Sequence, residues 1–188
     1  MTGLLRFAAA IDGLARLIGR MAAWLALGMV LVGAYNAIAR YAGRSLELRL
    51  TSNALVETQW YMFSLLFLFG APWVLQTGDH VRVDVIYERL GERGRRWVDL
   101  AGALLLLMPF CVFAAVTIWP FAAFSFSLRE GSNDPGGLAR WPLKLAMPLA
   151  FGLLFLQGLS EVIKTLARMR GIEVGSPPEA PVSQHQAG

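Results

Sequence analysis

The sequence predicts an all-α polytopic membrane protein: four transmembrane helices with an interfacial amphipathic segment between the second and third. Three observations carry that expectation. Of 188 residues, 56% are hydrophobic and only 16% are charged, whereas a water-soluble domain carries about a quarter charged residues. Four stretches run nearly free of charge over the ~20 residues that a hydrocarbon core requires. The 17 Lys and Arg residues fall between these stretches and do not gather on one soluble domain, which argues against nucleic acid as a partner. The one cysteine, Cys111, lies inside an apolar run, so this chain alone offers neither a disulfide nor a thiolate metal cluster.

Residues 1–20 carry Arg6, Asp12, Arg16 and Arg20 among leucines and isoleucines, and those charges interrupt the apolar core that a cleavable signal would need. A helical wheel groups Leu4, Ile11, Leu14 and Ile18 opposite the four charges, which suits an amphipathic N-terminal segment lying in the interface; a frayed end is the alternative. The four-helix membrane domain follows over 21–168, with spans at about 21–41, 54–77, 98–126 and 143–164. Gly28, Gly33, Ala34 and Ala37 line the first span and would let two backbones approach closely. The second span carries one charged side chain, Glu57, near its start. The third is charge-free from Leu100 to Leu128, too long for a core of about 30 Å unless it tilts, projects or bends. Pro109 and Pro120 within it predict kinks.

The stretch from Arg129 to Lys144 is rich in Gly and Pro and reads as a loop. In the fourth span, Lys144 and Lys164 are expected to extend their ammonium groups to the two interfaces, and Pro148 to occupy the first turn. Residues 169–188 read as a disordered tail. Between spans two and three, Val83, Ile86, Tyr87, Leu90, Trp97 and Val98 share one face of a helix, which predicts an interfacial segment over 82–98, either one helix or two pieces divided near Gly91 and Gly94. Four spans place both termini on one side. Lys and Arg number three, five and three in the connections on that side and three in each of the other two, so both termini are expected in the cytoplasm.

Enzyme chemistry finds little support: there is no phosphate-binding glycine loop, nucleophile elbow or zinc-protease motif. His80 lies between Asp79 and Asp84, but one imidazole is a weak ligand set, and pairing of Arg82 with the neighbouring acids at the exit of span two is the simpler role. His185 is the other histidine and lies in the tail, so no paired-histidine haem site exists inside the bundle. No cofactor and no catalytic, substrate-binding or metal residues are expected. Asn53, Glu57, Trp60 or Tyr61, and Ser64 form a polar stripe on span two. For Glu57 three roles stay open: a salt bridge with a partner subunit, a solvated helix end, or an ion path.

Glu57, Gln59-Trp60-Tyr61, His80-Val81-Arg82-Val83-Asp84, Glu130-Gly131-Ser132, Gly136-Gly137-Leu138, Trp141-Pro142, Lys144, Pro148 and Leu156-Gln157-Gly158 occur in this order. Together they resemble the small, DctQ-type membrane subunit of tripartite ATP-independent periplasmic (TRAP) transporters, from about Met21 to Lys164, and look closest to the branch labelled for mannitol or chloroaromatic compounds. The resemblance implies a noncatalytic small permease subunit in the bacterial inner membrane. It would act as scaffold for a large membrane subunit that carries the sodium and substrate sites, while a periplasmic binding protein captures an organic acid. Glu57, Trp60, Tyr61, His80, Arg82, Asp84 and Trp141 would then serve at a subunit interface or in the structure. A self-sufficient four-span carrier or channel, as a homo-oligomer, is the alternative.

Overall fold

The computed structural model describes residues 2–46, 51–78 and 91–172. Among them every regular element is a helix. Helix α1 spans Thr2–Leu46, α2 Asn53–Thr77 and α3 Glu92–Ala101. A π-helical stretch, Gly102–Leu107, leads directly into α4, Met108–Ser127, and α5 spans Trp141–Met169. Four helices, counting α3 through α4 as one, are long and apolar enough to cross a membrane.

Helix α5 is the hub. It packs against α1, α2, α3 and α4, whereas α1 pairs chiefly with α2. Its most apolar stretch is 33% buried, against 6–11% in the other three spans. The remaining faces of α1, α2 and α4 point outward with Trp24, Tyr41, Phe67, Phe113 and Trp119 exposed, as expected of a bundle whose surroundings are themselves apolar.

The 45 residues of α1 form one helix, about 67 Å long at 1.5 Å per residue. Residues 2–20, expected as an amphipathic segment lying in the interface, are thus continuous with the first span. Arg20 does not interrupt it, because a charged side chain removes no backbone hydrogen bond and arginine is a good helix former. The wheel is also turned from the one expected: Ala8, Ile11 and Ala15 are buried, while Leu4 and Leu14 are exposed. Asp12 therefore faces the bundle.

Helices α1 and α2 meet through small residues. A methyl group on Gly28 would touch the Met62 sulfur at 3.4 Å, and one on Gly33 would collide with the Gln59 amide at 2.6 Å. Gly19 lies against Trp73, with the ring and Cβ only 2.5–2.8 Å from where a methyl would sit. Ala34 and Ala37, expected in the same stripe, point outward.

The long third span begins at α3, where Gly91 is extended (φ −62°, ψ 164°). Residues 92–98 of the 82–98 segment are thus the start of the span; residues 79–90 lie outside the described residues, and with them the rest of that segment. The π turn ends two residues before Pro109, whose ring would clash with the carbonyl of residue 105 in a regular helix and whose nitrogen cannot donate to it. In the wider turn Met108 N–H reaches the Ala103 carbonyl, five residues back. Leu107 then packs on Gly158 of α5. Pro120 sits inside α4 without a break. Helix α5 starts earlier than expected, so Pro142 takes the first-turn position and Pro148 lies inside the helix.

Gly19 and Gly13 make a paired test, since a methyl on Gly13 meets nothing within 4 Å. Gly13→Ala should gain up to about 1 kcal/mol of helix stability. Gly19→Ala should instead lose about 1–3 kcal/mol to overpacking against Trp73, read by unfolding of the detergent-solubilised chain.

Candidate functional site

Among the described residues the charged side chains collect toward the two ends of the bundle. At the end formed by Asn53, Ser127 and Trp141, the connection 128–140 folds back onto α2. Glu57 is 3% exposed; its carboxylate accepts hydrogen bonds from Ser132 Oγ and from the Leu138 backbone N–H. Asn53 Nδ2, one turn earlier, donates to the Pro135 carbonyl at 3.0 Å. Gly136 holds a left-handed backbone (φ 74°). A methyl on Gly137 would lie 2.6 Å from the Glu57 carboxylate and 2.5 Å from Ser132, so only glycine admits this approach.

Glu130 fixes the other side of the connection. Its Oε2 accepts from Lys144 Nζ at 2.5 Å and Ser125 Oγ at 2.6 Å, and its carbonyl accepts from Arg140 N–H at 2.8 Å. The Lys144 ammonium, and next the Ser125 hydroxyl, hold the Glu130 carboxyl below its ordinary value of 4.5. Arg129, at φ 49°, lays its guanidinium over Phe126 and Trp141, 4.8 and 5.1 Å from the ring centres. Lys144 thus does extend toward an end of the bundle, but onto Glu130 and the Phe121 ring, 3.9 Å away.

Of the residues singled out in the sequence, Glu57 and Trp141 belong to this cluster. Tyr61 faces it with a buried hydroxyl that has no hydrogen-bond partner. Trp60 lies against Tyr61, with ring centres 4.7 Å apart and the planes tilted by 54°, and remains 37% exposed. Ser64 bonds only to the Trp60 carbonyl of its own helix, at 2.7 Å. His80, Arg82 and Asp84 lie outside the described residues.

The opposite end holds a second cluster. Asp12 Oδ1 accepts from Gln157 Nε2 (2.9 Å) and Ser160 Oγ (2.7 Å), and Oδ2 from Lys164 Nζ (3.0 Å). Lys164 also reaches Glu161 Oε1 at 2.5 Å. Gln157 and Ser160 are fully buried, and the side chains of Lys164 and Asp12 are 8% and 15% exposed. Oriented to satisfy both neighbours, the Gln76 amide donates to the Asp12 carbonyl (3.3 Å) and accepts from Arg16 (3.1 Å), so α2 joins as well. The expected extension of Lys164 to the interface is corrected: its ammonium turns inward because Asp12 supplies a buried counter-charge. The legible signal was the spacing of Gln157, Ser160, Glu161 and Lys164, which puts four polar groups on one helical face.

A family model described as "Tripartite ATP-independent periplasmic transporters, DctQ component" matches residues 29–168. The chain belongs to the DctQ family. Neither a curated protein nor a solved structure matches it. The chain is therefore a small subunit of a TRAP transporter, a family of transporter components. The matched region contains the Glu57 cluster and the α5 half of the second cluster; Asp12 precedes it.

Two outcomes follow from the end clusters. Asp12→Asn should cost about 3 kcal/mol, the low end for breaking a buried pair, because the Lys164 ammonium loses the counter-charge that ties it to α1 and keeps Glu161 alone, while Asp12→Leu with Lys164→Met should recover most of that loss in the same unfolding measurement. Because the Glu130 carboxyl is lowered when folded, its contribution is complete above 4.5 and fades as pH falls below it. Hydrogen exchange across residues 130–140, corrected for intrinsic rates, should show protection dropping in that acid range, and Glu130→Gln should lower protection above it.

Proposed function

We infer that this small subunit is the noncatalytic membrane scaffold of a sodium-coupled, binding-protein-dependent secondary transporter for organic acids. Its partners in this reading are a large membrane subunit, which carries cargo and sodium, and a periplasmic binding protein. The reading rests chiefly on where the polar groups are. Among the described residues the buried charges Glu57 and Lys164, with Asp12, are paired at the two ends, and the spans between those ends carry no charged side chain at mid-depth. A transport path needs converging polar groups at mid-depth. The same distribution adds no substrate, so the likeness to a mannitol or chloroaromatic branch gains nothing from it.

Glu57 then acts through the connection it holds. Its carboxylate is occupied within the chain, so the surface offered to a partner is the shaped 131–138 loop and the exposed Trp60 beside it. The excess of Lys and Arg at the N-terminal end favours placing both termini in the cytoplasm of a bacterial inner membrane and this loop in the periplasm.

Reconstitution tests the scaffold reading. Proteoliposomes holding this chain alone should show no sodium-driven uptake of organic acids, and adding the large subunit and the binding protein should restore it; uptake by the chain alone would refute the reading. Glu57→Ala, which frees the loop, should lower uptake by the full complex about tenfold, the cost of a mispositioned interface, while the isolated variant keeps its helical circular dichroism.

A further inference from the structure

The first turns of α3 bring three arginines, Arg93, Arg95 and Arg96, to the end of α5. Arg96 Nη1 donates to the Arg168 carbonyl at 3.3 Å, which sets Arg168 beside them. Among the described residues neither Arg93 nor Arg168 forms an ion pair. Arg93 is exposed and starts a row at helical spacing, Arg93, Trp97, Ala101 and Leu105, all exposed, that runs from the cationic end down the apolar span. Trp97 is 60% and Leu105 73% exposed.

We propose that Arg93 and Arg168 bind the headgroup phosphate of an anionic phospholipid, whose acyl chain lies along Trp97, Ala101 and Leu105. The two halves of the surface select that ligand together. Guanidinium groups match a phosphate with paired N–H donors, and an indole below them suits the boundary between headgroup and acyl chain. A soluble anion would use the arginines and leave the apolar row uncovered. A neutral phospholipid would use the row and gain little from the arginines. Basic clusters between helices at the edge of the hydrocarbon core are suited to anionic headgroups for this reason.

Native mass spectrometry of the full chain, released from nanodiscs of equimolar phosphatidylcholine and phosphatidylglycerol, tests the site. The native chain should retain phosphatidylglycerol in preference, and each of Arg93→Gln and Arg168→Gln should lower that preference about fivefold. Replacing both by lysine should keep most of it, and Arg40→Gln, at the opposite end, should leave it unchanged. Circular dichroism establishes that each variant is folded; should the glutamine variants not fold, salt titration of the native chain serves, with phosphatidylglycerol released and phosphatidylcholine kept. Equal retention of the two lipids by the native chain, an unchanged preference in both glutamine variants, an equal fall in Arg40→Gln, or salt-independent retention would each overturn the proposal.

Discussion

A carboxylate inside an apolar bundle must be neutralised or fully hydrogen-bonded, and much of this fold follows from how two carboxylates meet that demand. Asp12 lies on the inner face of α1 and is matched by an ammonium, an amide and a hydroxyl from α5. Glu57 lies one turn into α2 and is matched by a hydroxyl and a backbone N–H from the connection that precedes α5. Leaving either unpaired would cost several kcal/mol. Each acid therefore specifies a contact that generic apolar packing would leave free to slide. Between them they tie α1 and α2, at opposite ends, to the last helix and its lead-in.

These contacts explain why α5 is the hub. Apolar side chains in lipid gain little from leaving one apolar environment for another, so close packing and polar pairing must supply the specificity. Helix α5 supplies both. Gly158 admits Leu107 immediately beside the fully buried Gln157, which bonds Asp12. The π turn serves the same contact: it accommodates Pro109 and sets Leu107 against that glycine. A helix defect that ends at Leu107 and a glycine fifty-one residues later in sequence are thus two halves of one packing solution.

What the sequence disclosed follows from which interactions are local. Four apolar runs of membrane length were legible because span length depends only on composition along the chain. The approach of Gly28 and Gly33 to a neighbour was legible in kind, since small residues at that spacing have few other uses. The partner of Glu57 was not, because Ser132 and Leu138 lie 75 and 81 residues away, and nothing local points to them. Asp12 and Lys164 were read separately, one as part of a charged surface face and the other as an interfacial lysine. Each assignment is the ordinary one for a lone charge. Only the three-dimensional pairing, across 152 residues, reverses both.

The placement of the clusters bears on how such a subunit can serve a transporter. A component that moved with cargo would need an element with two arrangements of similar free energy. Here the ends of the bundle are held by interactions whose loss costs the most in an apolar medium, and they bracket a middle held by shape alone. Sliding α1 along α5 by a single turn would strand Asp12 and Lys164 without each other, and sliding α2 would strand Glu57. Such a bundle resists shear along its helices while its exposed apolar side chains face outward, and these are the mechanical properties that the proposed scaffold role requires.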